Sequence, residues 1–187
     1  MTAAALINGL PKSGTHAALK GAQLLGIPTV VGEVWDRRAT LAHVPYALRG
    51  QVAQDFAAHV FVVRNLRNVL LSWMRWRSIP ITQGGMISTI ADYDGIGLPA
   101  TCEAFAPWLS EPGVHVVRFE ALIADDATLR GIAAYLGVPY LEDAFANLPG
   151  LTRTWSGQLS DWTAHWTPAV DDAWTAAGMP AWEAVYG

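Results

Sequence analysis

A single cysteine, Cys102, rules out an internal disulfide and any metal site that needs two thiolates. The five histidines form no H-x-x-x-H or H-x-H pair, and no aspartate-rich motif is present. Neither zinc nor the magnesium of phosphoryl transfer is therefore expected. No apolar run approaches the ~20 residues that span a bilayer. Positive charge is scarce, with 12 Lys and Arg against 16 Asp and Glu and a net charge of −4, which argues against a nucleic-acid partner. Met1–Ile7 has no basic start, so no cleaved leader is expected and a cytoplasmic location is. Repeats, low-complexity tracts and dividing linkers are also missing. The 187 residues, 52% of them hydrophobic, read as one domain, 1–187, with a single core.

What is present alternates. Apolar strand patterns near 3–8, 29–33, 59–63 and 114–119 take turns with helical patterns near 15–25, 46–57, 66–77, 101–109 and 127–136. Strands and helices in alternation predict an α/β fold of three layers, α/β/α, around a central parallel sheet. Ligands of such sheets collect at the carboxyl ends of the strands, where Lys12, Glu33, Arg64 and Glu120 fall. Gln83–Gly85 and Asp94–Gly97 read as flexible loops.

The first strand runs into Leu10-Pro11-Lys12-Ser13-Gly14-Thr15-His16. A turn here into a helix near Thr15 aims free N–H groups and the positive end of the helix dipole at one point, and Lys12 adds a charge. An anion cradle is the prediction. The nucleotide P-loop, G-x-x-x-x-G-K-[ST], has its lysine after the last glycine, whereas Lys12 comes two residues before Gly14. Farther on, Val60-Phe61-Val62-Val63 reads as a buried parallel strand that delivers Arg64, whose fork suits a phosphate, with Ser72 two helical turns later. Arg67 and Arg77 read as a solvated basic face.

Together these segments resemble the sulfotransferases that use 3′-phosphoadenosine 5′-phosphosulfate (PAPS). Lys12-Ser13-Gly14-Thr15 is similar to that family's 5′-phosphosulfate loop P-K-[ST]-G-[ST]-[ST], and Arg64-Asn65-Leu66-Arg67-Asn68 through Ser72 to its 3′-phosphate motif. Thr152–Trp162 is similar to the late loop R-K-G-x-x-G-D-W, with Gly157, Asp161 and Trp162 in register. Ser156 stands there in place of lysine, and Arg153 is the substitute cation. Val114–Leu122 is similar to the strand and Y-E-D-L segment, a structural part.

The resemblance implies a P-loop NTPase-like sulfotransferase fold. It implies PAPS as donor, with 3′-phosphoadenosine 5′-phosphate (PAP) as product and no metal. The nucleotide would be bound by Lys12, Ser13, Gly14, Thr15, His16, Arg64, Ser72, Arg153, Ser156 and Gly157. Lys12 would neutralise the leaving phosphate. Leu41-Ala42-His43-Val44-Pro45 occupies the place of K-T-H-x-P, so His43 maps onto the catalytic base, and Glu33 is the second candidate. The acceptor would be a small molecule offering a hydroxyl or an amine.

The sequence departs from the family at several points. Ala17 stands where tryptophan is frequent, Leu66 replaces a proline, and the interval from Glu33 to His43 is short. Trp35 and Trp76 are the tryptophans expected to stack on an acceptor, with Trp155 or Trp162 on the adenine. Trp166–Val170 lies where family members carry a dimer segment, without its lysine, which leaves a homodimer open. Two other functions stay open: a kinase-like phosphoryl transferase, and a non-catalytic nucleotide-binding relative.

Overall fold

In a computed structural model, residues 5–27, 43–52, 56, 58–148 and 161–187 are described. Three of the expected strands lie among them: β1 (Ala5–Gly9), β2 (Ala58–Val63) and β3 (Val114–Arg118). They form a parallel sheet in the order β1-β2-β3, with Gly9 beside Val62 and Val63 beside Arg118. That register brings three carboxyl ends to one edge. The expected strand at 29–33 lies outside the described residues.

Side chains of a strand alternate between faces, so each strand feeds two cores. Ile7, Val60, Val62 and Val117 pack under α1 (Thr15–Leu24), α6 (Phe119–Ala124) and α7 (Asp126–Leu136). Leu6, Phe61 and Val63 pack on the other side under α3 (Leu66–Trp76), α4 (Gln83–Asp92), α5 (Leu98–Phe105), α8 (Pro168–Ala176) and α9 (Met179–Tyr186). Three layers result, and each fully buried Leu or Ile contributes roughly 1.5–3 kcal/mol.

Local chemistry sets the helix starts. The Asn65 side chain accepts from Asn68 N–H at 3.2 Å to open α3, and the Asp125 side chain accepts from Thr128 N–H at 3.0 Å to open α7. Gly137, left-handed at φ 66°, closes α7. The region expected to be helical over 46–57 begins with a 3-10 turn, Tyr46–Leu48, followed by the short α2 (Arg49–Val52).

Two expectations are corrected. Gln83–Gly85, read as a loop, opens α4, because Thr82 caps it by accepting from Gly85 N–H at 3.1 Å and because Met86 and Ile90 are buried beneath it. A side chain at Gly85 would lie 2.4 Å from the Pro80 carbonyl, so the glycine serves close packing rather than flexibility. Arg67, read as solvated, is enclosed. It forms a fork to Glu183 at 2.8 and 3.4 Å and lies 3.5 Å from Asp171, while the rings of Trp162, Trp166 and Trp174 stand 4.3, 4.6 and 5.6 Å from its Cζ. These partners come from α8, α9 and the turn before them, which clip onto α3 through this cation.

Candidate functional site

At the end of β1 the chain turns through Leu10–Gly14 into α1. Ser13 N–H donates to the Leu10 carbonyl at 3.0 Å, Lys12 takes a left-handed φ of 72°, and Gly14 takes φ 104°. The Gly14 position cannot carry a side chain, since a Cβ there would sit 2.2 Å from the Phe119 ring. A left-handed lysine costs of order 1 kcal/mol, a strain held by the packed surroundings. The Tyr93 hydroxyl donates to the Pro11 carbonyl and anchors the loop from the far side of the core. Ser13 is 1% exposed, and its Oγ has no hydrogen-bond partner among the described residues. A buried hydroxyl without a partner in an N-terminal loop suits an anion that would complete it.

Arg64 emerges from β2 beside this loop. Its Nη1 donates to the Lys12 carbonyl at 3.1 Å, and its Cζ lies 4.4 Å from the Phe119 ring centroid. It is 7% exposed, and Nε has no partner among the described residues. Burial lowers its pKa to about 10, partly offset by the charge of Glu120, so it remains a cation at neutral pH. Glu120 accepts from Asn65 N–H at 3.0 Å and thereby holds the start of α3, the helix on which Ser72 sits half-buried. Lys12 is half-buried too. Burial, and then the charge of Arg64, push its pKa below the ordinary lysine value.

His43 reaches the same edge. Its Nδ1–H donates to the Gly9 carbonyl at 2.8 Å. A carbonyl only accepts, so the neutral ring keeps its lone pair on Nε2. Protein surrounds the ring although it retains exposed surface, as for a side chain lining a cleft. Its pKa is pushed down by burial first and further by His16 and Lys12, while the bond to Gly9 opposes the shift. His16, half-buried, is lowered by burial and then by Lys12, which places it in the same electrostatic group. At neutral pH this arrangement holds a free base beside two cations.

The chain that presents His43 is tied down by residues the sequence reading passed over. Asn8 Oδ1 accepts from Val44 N–H at 2.9 Å and from Gly9 N–H at 2.8 Å, while Asn8 Nδ2 donates to the Val44 carbonyl at 3.2 Å. Trp108 Nε1 donates to that same carbonyl at 2.8 Å. One signal was available, an asparagine inside an otherwise apolar strand. Tyr93 and Trp108 offered none, being 82 and 64 residues from their partners.

The structure thus brings together Lys12, Ser13, Gly14, Thr15, His16, His43 and Arg64, with Ser72 on the adjoining helix. Glu33, Arg153, Ser156, Gly157, Trp35 and Trp155 lie outside the described residues. Among the described residues no cluster of His, Cys, Asp and Glu suited to a metal ion occurs, and no helix is long and apolar enough to cross a membrane.

No protein-family model and no curated protein matches this chain. Among solved structures it is similar to that of the mouse sulfotransferase SULT7A1 complexed with PAP. The TM-score is 0.71 at 16% identity, over 96% of this chain and 84% of that one. The architecture built around the edge of β1 and β2 is therefore a sulfotransferase-like α/β fold.

Proposed function

We propose that this chain transfers a sulfuryl group from PAPS to a hydroxyl or amine of a small-molecule acceptor. The observation that carries the reading is that two basic residues from different strand ends meet: the Arg64 guanidinium donates to the backbone carbonyl of Lys12. Buried polar atoms at both, Ser13 Oγ and Arg64 Nε, are left without protein partners among the described residues. A donor with anionic groups at two ends fits this pair of clamps.

Each residue has a role in that reading. The amides of Gly14 and Thr15, with the Ser13 hydroxyl, hold the 5′-phosphate at the start of α1. Arg64 offers Nε to the 3′-phosphate, and Ser72 its hydroxyl. When bound, the donor supplies an activated sulfuryl group whose bond to the bridging oxygen breaks. Lys12 neutralises the charge that builds on that oxygen. His43 Nε2 takes the proton of the acceptor as the new bond forms. His16, neutral beside Lys12, contacts the nucleotide as a hydrogen-bonding group. Arg153, Ser156 and Gly157 complete the nucleotide clamp, and Glu33 is the alternative base.

Titration calorimetry with PAP, against ATP and magnesium, tests the donor. PAP is expected to bind and ATP with magnesium is not; the reverse preference would favour phosphoryl transfer. Transfer of radiolabelled sulfate from PAPS to phenols, sugars and amines, with His43→Ala as control, tests catalysis. PAP binding without transfer to any of them would make the chain a nucleotide-binding relative.

A further inference from the structure

Lys12 is directed toward a partner other than an acid. Its Nζ lies 4.9 Å from the ring centroid of Trp76, the last residue of α3. Trp76 is 53% exposed, unusual for the largest apolar side chain so close to a cationic loop. Its ring is part of a fixed column. Trp73 packs against it at 5.0 Å and against Tyr93 at 4.5 Å, both pairs tilted, and the Tyr93 hydroxyl donates to the Pro11 carbonyl, next to Lys12 in the chain. The same column therefore sets both the loop that bears Lys12 and the indole beneath its ammonium. Among the described residues Lys12 forms no ion pair. The face of an indole carries negative potential that attracts an ammonium without neutralising it.

We propose that Trp76 is a positioning residue, the resting seat of the Lys12 ammonium, which Lys12 leaves when a donor anion enters the loop. The inference rests on the reading of Lys12 as the charge that meets the donor. An ion pair at this place would hold lysine too tightly and cancel its charge. An indole keeps the ammonium folded over the site, fully charged and readily released. Leaving the seat costs binding, because a cation–π contact must be given up; a weak contact of this kind corresponds to roughly a 2- to 30-fold change in affinity.

The chain has only two lysines, Lys12 and Lys20, so reductive methylation with ¹³C-formaldehyde labels both together with the α-amino group, and Lys12→Arg and Lys20→Arg assign the lysine resonances. In the free protein the Lys12 methyl resonance is expected upfield of that of Lys20 through the indole ring current. It should move to the Lys20 position on saturation with PAP. Trp76→Leu should start at that position, Trp76→Phe should fall between, and Trp76→Leu should bind PAP about 2- to 30-fold tighter. A structural role alone predicts weaker or unchanged binding. Coincident Lys12 and Lys20 resonances in free wild type that still binds PAP would overturn the seat and leave the donor reading standing. Failure of wild type to bind PAP would sink the donor reading and the release step. An upfield resonance abolished by Trp76→Leu would then still support the seat.

Discussion

At the amino end of β2, His59 is wedged between Trp108 at 4.3 Å and Phe61 at 6.4 Å, and burial drives its pKa to about 4 despite the opposing charge of Glu111. At the carboxyl end, Arg64 is comparably enclosed yet keeps its proton. The backbone around His59 is closed off: the Tyr135 hydroxyl accepts from His59 N–H at 2.9 Å and donates to the Gly113 carbonyl at 2.5 Å. Polar atoms are left open at both ends, His59 Nε2 at one and Arg64 Nε with Ser13 Oγ at the other, all without hydrogen-bond partners among the described residues, so the charge state is what separates them. One end of the strand removes charge and the other retains it, and a retained charge in a buried place signals a ligand more than burial alone does.

The sharpest way to break this contrast is Lys12→Ala. Turnover is expected to fall by about 10²- to 10³-fold with thermal stability little changed, because a preorganised charge is lost from a half-buried position. Near-normal rates in a sulfate-transfer assay would remove Lys12 from the chemistry. The amino end should answer differently. The folded pKa of His59 lies below its unfolded value of 6.5, so its stabilisation is complete above pH 6.5 and drains away as pH falls toward 4, reaching about 3 kcal/mol. His59→Phe should flatten that acid-side loss in urea unfolding at pH 7 and 4.5 while sparing activity at pH 7. An unaltered slope would place the acid sensitivity elsewhere.

Asn8→Ala tests whether His43 acts only when held. Roughly a tenfold loss of kcat with donor KM unchanged is expected, since Val44 loses both its bonds to the Asn8 side chain. An equal loss in KM would mean that the loop, not the base, had moved. The smallest effect is the most specific. The lowered pKa of His43 predicts that the acid limb of the kcat/KM profile falls below pH 6.5, with activity lost as pH decreases, and that the limb is missing in His43→Ala.

Three of the strands, the turn into α1 and the place of Arg64 at a strand end were legible because each is written in a few adjacent residues: an apolar run, a glycine turn, a cation after the run. Arg67 was misread because its partners lie 95 to 116 residues away, and no local pattern marks a cation that three distant tryptophans will surround. The start of α4 was misread because Gly84 and Gly85 weigh against a helix in isolation, while the burial of Met86 and Ile90 that decides the matter is tertiary. Asn8 was legible in principle, as one polar residue within a buried strand, but its role depends on a neighbour 36 residues on.

The enclosure of Arg67 has a consequence for how this protein will come apart. Neutral salts screen surface charge but reach poorly into a pocket of indoles, so the carboxyl-terminal helices should stay attached at high ionic strength. Guanidinium ion is a soluble copy of the Arg67 head group and competes for the same carboxylates and ring faces. The tail should therefore detach in guanidinium chloride ahead of the sheet, giving two transitions by tryptophan fluorescence where urea gives one.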